Sequence, residues 1–197
     1  MTDQQTISVY DQQVEKYAQT IEQQPSDQIL SGFMARLSSN DLVLDLGCGP
    51  AQASSIMRDN GLSVDPVDAS LEMVNIANAT YNIGARQATF AEIDASDTYH
   101  GIWANFSLLH ASKTEFPVIL GQLHKALKSN GVLHLGMKLG NDACRDSLGR
   151  YYAYYSQEEL CELLENAQFD VDHLELGEGR GLAGDVEPWI VIIGKAR

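Results

Sequence analysis

The sequence predicts an α/β fold of the doubly wound kind, a mostly parallel sheet of about seven strands with helices on both faces. Three observations lead there. From Leu42 onward, short apolar runs of strand length alternate with longer stretches of helical period. The runs are apolar at consecutive positions, as in "LVLDL" from Leu42 to Leu46, which suits a strand covered on both faces. Most Gly and Pro residues fall between the periodic segments and do not cluster into a linker.

The elements follow in order. Residues 1–40 are polar, carry Tyr10 and Tyr17, and read as a helical lid outside the alternation; residues 41–197 read as the core of a single domain. Leu42 to Leu46 is the first strand. Pro50 to Asp59 is a helix stopped by Asn60 and Gly61. Leu62 to Val67 is the second strand, although Pro66 removes a ladder donor, and Ser70 caps a helix to about Tyr81. Further strands are expected at Arg86 to Phe90, Gly101 to Asn105 and Gly131 to Met137, with a helix from Phe116 to Leu127 before the last. Ser156 and Glu159 have capping-box spacing ahead of a helix to Asn166. The strands Val171 to Leu176 and Trp189 to Gly194 close the chain.

Composition excludes several classes of function. A formal net charge of -14 is the wrong sign for a polynucleotide or an anionic membrane surface. No apolar stretch reaches the roughly eighteen residues of a membrane helix, and no basic start precedes an apolar run, so a cytoplasmic protein is expected. Cys48, Cys144 and Cys161 share no metal-site or disulfide spacing, so no metal is expected, and Cys48 reads as a small filler of a tight turn.

The stretch "LVLDLGCGPAQASSI" carries the chemistry. A glycine after a strand lets the backbone turn tightly, and a second, two residues on, lets a ligand approach without meeting a Cβ. Gly47 and Gly49 have that spacing. A dinucleotide fingerprint wants a third glycine three places later, where this chain has Gln52. Asp45 would repel a pyrophosphate and attract an ammonium or sulfonium group. Asp68 follows the second strand at the distance from which an acid reaches both hydroxyls of a ribose. "GRGLAG", Gly179 to Gly184, also matches the dinucleotide pattern, but no helix follows it and it reads as a connection between the closing strands.

"VLDLGCGP" (Val43 to Pro50), "VDAS" (Val67 to Ser70), "GIWANFSLLH" (Gly101 to His110) and "LKSNGVLHLGM" (Leu127 to Met137) together resemble the successive motifs of class I S-adenosylmethionine-dependent methyltransferases. The resemblance implies a Rossmann-like sheet with a closing antiparallel strand, S-adenosylmethionine as cofactor, and a methyl acceptor. It places Asp45, Gly47, Cys48 and Gly49 at the methionine part of the cofactor, and Asp68, Ala69 and Ser70 at the ribose. Phe90, Ala91 and Glu92 are the implied adenine side, and Tyr17, Asn105 and Phe106 complete the cofactor contacts. Pro66 could shift the end of the second strand, which makes Asp65 a rival to Asp68, and His100 stands where the family usually has an acid.

On the acceptor side the candidates are Tyr10, Leu109, Arg145, Arg150, Tyr151 and Tyr152, because an anionic or flat substrate would meet arginines and aromatic rings there. His110, just beyond the fourth strand, is the candidate base. "GIWANFSLLH" and "GRYYAYYSQEEL" also look like a bacterial, tellurite-resistance-like subset acting on small molecules. The expectation is therefore methyl transfer from S-adenosylmethionine to a small molecule, with no nucleic acid or membrane partner. A nicotinamide-dependent oxidoreductase and a non-catalytic nucleoside-binding domain share the strand, the glycine turn and the ribose acid, and are the alternatives.

Overall fold

The computed structural model describes residues 3–22 and 28–197. A sheet of seven strands runs in the order β3-β2-β1-β4-β5-β9-β8, the order produced when a chain winds outward from β1 in both directions. These strands are β1 (Leu42–Leu46), β2 (Ser63–Asp68), β3 (Arg86–Gln87), β4 (Tyr99–Asn105), β5 (Leu127–Lys138), β8 (Phe169–Arg180) and β9 (Val186–Ala196). β3, β2, β1, β4 and β5 pair in parallel, whereas β9 pairs antiparallel with both β5 and β8. The expected doubly wound, Rossmann-like sheet with an antiparallel closing strand is the architecture found.

Both faces of the sheet are buried, which explains the consecutive apolar positions. Leu44, Leu46, Ile102, Leu133 and Ile192 pack with Phe116, Leu120 and Leu123 of α6 (Phe116–Ala126) and Leu160 and Leu164 of α7 (Gln157–Asn166). Val43, Trp103 and Ile193 point the other way, onto Leu30 and Phe33 of α3 (Gln28–Met34) and Met57 of α4 (Gln52–Asp59). α5 (Leu71–Tyr81) starts at Ser70, whose hydroxyl accepts from the Met73 N–H, and α7 starts in the expected Ser156/Glu159 capping box.

Several boundaries differ from the expectation. The strand expected over Arg86 to Phe90 is cut to two residues because Thr89 and Glu92 form a capping box of their own, which turns the chain into a 3-10 helix over Phe90–Glu92. α4 begins at Gln52 and not Pro50, because Ala51 at its cap is left-handed with φ 64°. α6 ends at Ala126, and Leu127 already belongs to β5. Pro66 does not shorten β2: it pairs with Asp45 of β1 and lies before the short pairing of β3, which begins at Val67. The short hairpin of β6 (Ala143–Arg145) and β7 (Tyr151–Ala153) was not legible, and α3, helical as expected within residues 1–40, is not part of a lid: Leu30 and Phe33 bury it against the sheet.

Candidate active site

A cavity of about 690 Å³, including its open mouth, lies at the carboxyl ends of β1, β2 and β4. Its floor is the turn after β1, where Gly47 (φ 77°) and Gly49 (φ 53°) are both left-handed, a conformation glycine adopts without strain. A Cβ on Gly47 would come 2.4 Å from the Cβ of Ser107, so the two loops after β1 and β4 touch here. The Ser107 hydroxyl secures that contact by donating to the Leu46 carbonyl at 2.5 Å. A Cβ on Gly49 would lie 3.3 Å from the ring of Tyr17 on α2 (Val14–Glu22). Both glycines thus serve protein contacts as well as any ligand.

Two carboxylates stand at this turn, Asp45 buried and Asp68 half-buried. Asp68, at the end of β2, accepts from the Gly49 N–H and the Ser70 N–H, both at 2.8 Å, while burial pushes its pKa up. Asp45 lies behind the turn, 2% exposed, with its Oδ2 accepting from the Ser54 hydroxyl at 2.6 Å. Burial raises its pKa to about 7, against the Ser54 hydrogen bond and with the charge of Asp68 adding to the rise. Asp65 is occupied elsewhere: Arg86 grips both its oxygens at 2.9 Å and the Tyr99 hydroxyl donates to it at 2.6 Å. Burial opposes those bonds, but they hold its pKa below the usual carboxylate value.

The N-terminal α1 (Gln4–Gln12) closes one side. The Tyr10 hydroxyl lies 2.8 Å from His110 Nε2, and Arg150 Nη1 donates to it at 3.0 Å. His110 Nδ1 lies 2.6 Å from the Tyr151 carbonyl, which can only accept, so the proton sits on Nδ1 and Nε2 receives the Tyr10 hydrogen. Burial pushes the His110 pKa down to about 4, the Tyr151 bond resisting and the Arg150 charge assisting. The imidazole is therefore neutral near pH 7. Other links fasten α1: Tyr151 N–H to Thr6 Oγ1 at 2.9 Å, the Ser70 hydroxyl to Asp11 at 2.5 Å, and Arg145 to both oxygens of Asp3 at 3.0 and 2.7 Å.

Of the residues singled out in the sequence, Tyr10, Tyr17, Gly47, Gly49, Asp68, Ala69, Ser70, Phe90, Asn105, Phe106 and His110 line this one cavity. The others do not. Cys48 packs beside the small cluster of Ala51 and Val74, where burial pushes its thiol pKa well up and leaves it unreactive. Ala91 is exposed, and Glu92 is spent on the Thr89 cap. Leu109 is 1% exposed in the main core. Arg145 and Arg150 are taken by Asp3 and Asp146, the Tyr152 ring packs against Arg150 and His110, and the Tyr151 backbone bonds Thr6 and His110, so this segment grips α1 and does not face the cavity. Sequence reasoning missed Asp3, Thr6, Ile7, Met73, Ala88 and Ser107 in the wall. Thr6, Ile7 and Tyr10 fall at helical spacing on α1, a signal that was present in the sequence. Among the described residues no three metal-ligating side chains come together, and no helix is long and apolar enough to cross a membrane.

Comparison with known proteins agrees with this geometry. The sequence profile of a family described as methyltransferase domain matches residues 13–174. An uncharacterized methyltransferase of Staphylococcus carnosus is 25% identical over 127 residues, 64% of this chain and 60% of its own length. A malonyl-[acyl-carrier protein] O-methyltransferase of Enterobacter lignolyticus is 33% identical over 107 residues, 51% of this chain and 41% of its own length. The chain thus spans roughly half the length of these two relatives. Among solved structures, the 1,6-didemethyltoxoflavin-N1-methyltransferase of Burkholderia thailandensis, solved with its substrate and S-adenosylhomocysteine, superposes with a TM-score of 0.78 at 19% identity, covering 96% of this chain and 86% of that one. A methyltransferase of Haloferax volcanii in complex with the Trm112 activator gives 0.75 at 16% identity, covering 97% of each chain. With the profile matched across most of its length, the chain belongs to the methyltransferase domain family.

Proposed function

We propose that the protein transfers the methyl group of S-adenosylmethionine to a small-molecule acceptor. One observation carries the choice of cofactor: among the described residues that line the cavity none is lysine or arginine, and the Asp68 carboxylate meets only backbone N–H groups, whereas Asp3 is paired with Arg145. Asp45, its pKa raised to about 7, adds a second negative charge behind the floor where it is ionised. Such a wall repels the pyrophosphate of a dinucleotide and attracts a sulfonium with an ammonium tail. In this reading Asp68 with Ala69 and Ser70 receives the ribose, Phe90 with Ala88 and Met73 flanks the adenine, and the Gly47–Gly49 turn receives the methionine part.

A sulfonium methyl is already activated, so the displacement needs its nucleophile held close and in line more than it needs a strong base. Positioning of that kind supplies up to roughly 7 to 11 kcal/mol. Burial keeps His110 neutral and its Nε2 is committed to Tyr10, so we give His110 the role of anchoring the lid over the acceptor. The acceptor occupies the end of the cavity walled by Tyr10, Asn105, Phe106 and His110, under a lid formed by α1 and the start of α2 of a single domain whose core also takes in α3. The likeness to a methyltransferase of 1,6-didemethyltoxoflavin supports a small acceptor. The segments around Leu109 and Tyr152 support placement in the tellurite-resistance-like subset. Three free cysteines and the net charge of -14 fit a cytoplasmic enzyme with no nucleic-acid partner.

The test is calorimetric titration of the purified protein with S-adenosylmethionine, S-adenosylhomocysteine and NAD. Binding of the first two and not of NAD is expected; binding of NAD alone would overturn the proposal.

A further inference from the structure

His134 sits in the middle of β5, fully buried, its ring stacked on that of Trp103 with centroids 3.6 Å apart and planes 16° apart. Burial pushes its pKa down to about 3, so at neutral pH the ring carries a single N–H. Its two nitrogens have unlike surroundings. Nε2 lies 3.0 Å from Oδ1 of Asn105, whereas Nδ1 is buried without a partner among the described residues.

The register explains why these groups meet. Parallel pairing sets Trp103 beside His134 and Asn105 beside Gly136, so all four lie on one face of the sheet. A Cβ on Gly136 would come 2.7 Å from the Asn105 Oδ1, so the absence of a side chain there makes room for the amide. Asn105 also lines the cavity, and its amide nitrogen has no hydrogen-bond partner among the described residues. Neighbouring polar groups are already spent: Ser107 on the Leu46 carbonyl, Thr6 on Asp3, Tyr10 on His110, and His110 on the Tyr151 carbonyl.

An amide's oxygen and nitrogen are nearly alike in shape, so chemistry decides which faces His134. Turning the amide over would place its NH2 against Nε2 and force the ring proton onto Nδ1, a buried position with no acceptor. A bare ring lone pair there is the lesser cost. We propose that His134 is a positioning residue that fixes the Asn105 amide with its NH2 toward the cavity, which makes Asn105 a donor to a hydrogen-bond-accepting oxygen or nitrogen of the bound ligand. That atom belongs either to the carboxylate of the cofactor's amino-acid end or to a carbonyl or ring nitrogen of the methyl acceptor. The identity of the ligand rests on the function proposed above; the orientation of the amide does not.

The orientation is tested first, in the intact wild-type protein, by 15N NMR of the histidine ring nitrogens. His134 should be the neutral Nε2–H form at pH 7, and an Nδ1–H form overturns the proposal. Recognition is tested with Asn105→Asp, titrated with S-adenosylhomocysteine and with 5′-methylthioadenosine, which lacks the amino-acid end. A loss of about tenfold or more for the first alone supports donation to the carboxylate. No change for either, with a similar rise in KM for an acceptor found by screening small thiols, amines and phenols, supports donation to the acceptor. Equal losses for both nucleosides, or no change in any of the three, overturn the proposal. His134→Phe, which keeps the stack on Trp103, should move the same quantity by less, with no further loss when combined with Asn105→Asp; independent losses also overturn it. If S-adenosylhomocysteine does not bind the wild type at all, the cofactor reading fails while the tautomer result still stands.

Discussion

Asp45→Asn should change stability in a way that depends on pH. In the folded protein the Asp45 pKa is raised from 3.8 to about 7, chiefly by burial. A raised carboxylate pKa means that between those values the unfolded chain is ionised while the folded protein holds a proton, so the wild type loses stability as pH rises through that window. The slope is about 1.4 kcal/mol per pH unit, and it flattens near the folded pKa. Between pH 5 and pH 8 the wild type should therefore lose about 2 to 3 kcal/mol that the asparagine variant does not lose. Asparagine keeps an oxygen for the Ser54 hydroxyl, and its buried NH2 adds a cost of about 1 to 3 kcal/mol that is the same at every pH. The quantity to follow is thus the change with pH of the difference between variant and wild type. His110 titrates in the opposite sense, its depressed pKa of about 4 removing stability as pH falls, but it is common to both proteins and cancels. Urea unfolding at pH 5, 6, 7 and 8 measures the difference. A difference that stays flat across that range refutes the assignment of Asp45 as a proton-binding carboxylate in the fold. The same variant should bind S-adenosylmethionine more weakly at pH 8, because it lacks the negative charge.

Asp68→Ala should weaken S-adenosylhomocysteine binding by roughly one to two decades, since hydrogen bonds to a charged group contribute about 1.5 to 3 kcal/mol; unchanged calorimetric affinity in a folded variant moves the ribose contact elsewhere. Gly47→Val should destabilise the protein by at least about 2 kcal/mol, because the residue is left-handed and its Cβ would meet Ser107 at 2.4 Å; a variant that unfolds at the wild-type urea midpoint contradicts the contact. Tyr10→Phe leaves the His110 Nε2 and the Arg150 Nη1 without their partner and should cost about 1 to 3 kcal/mol in urea unfolding. Removal of residues 1–12, which takes away α1 and leaves Tyr17 against Gly49, should lower turnover much more than cofactor affinity, as kinetics with a screened acceptor alongside calorimetry will show; full turnover by the truncated protein excludes the lid.

Much of the fold could be read because its strongest signals are local. The apolar runs at Leu42, Gly101 and Gly131 mark strands buried on two faces, and Ser70 and Ser156 mark helix starts through side-chain bonds formed within three residues. The side of the cavity built on the turn after β1 was legible for the same reason, since Gly47, Gly49 and Asp68 are set by short spacings. The side walled by α1 was not. Arg145, Arg150, Tyr151 and Tyr152 look like substrate contacts when only their types are known, but their partners Asp3, Thr6 and Tyr10 lie more than a hundred residues away, and pairing over that distance leaves no local pattern. Pro66 misled in the other direction: its cost depends on whether a neighbour reaches it, and β3 does not. The β5 pair of His134 and Gly136 carried no sequence signal because its meaning lies in the register with Trp103 and Asn105.

The most direct test of the account is the binding of S-adenosylhomocysteine to the wild type and to Asp68→Ala, with NAD as the control ligand in both. The account predicts saturable one-to-one binding to the wild type, a loss of about one to two decades in the variant, and no binding of NAD by either protein. Saturable binding of NAD by the wild type, with no binding of S-adenosylhomocysteine, would contradict it.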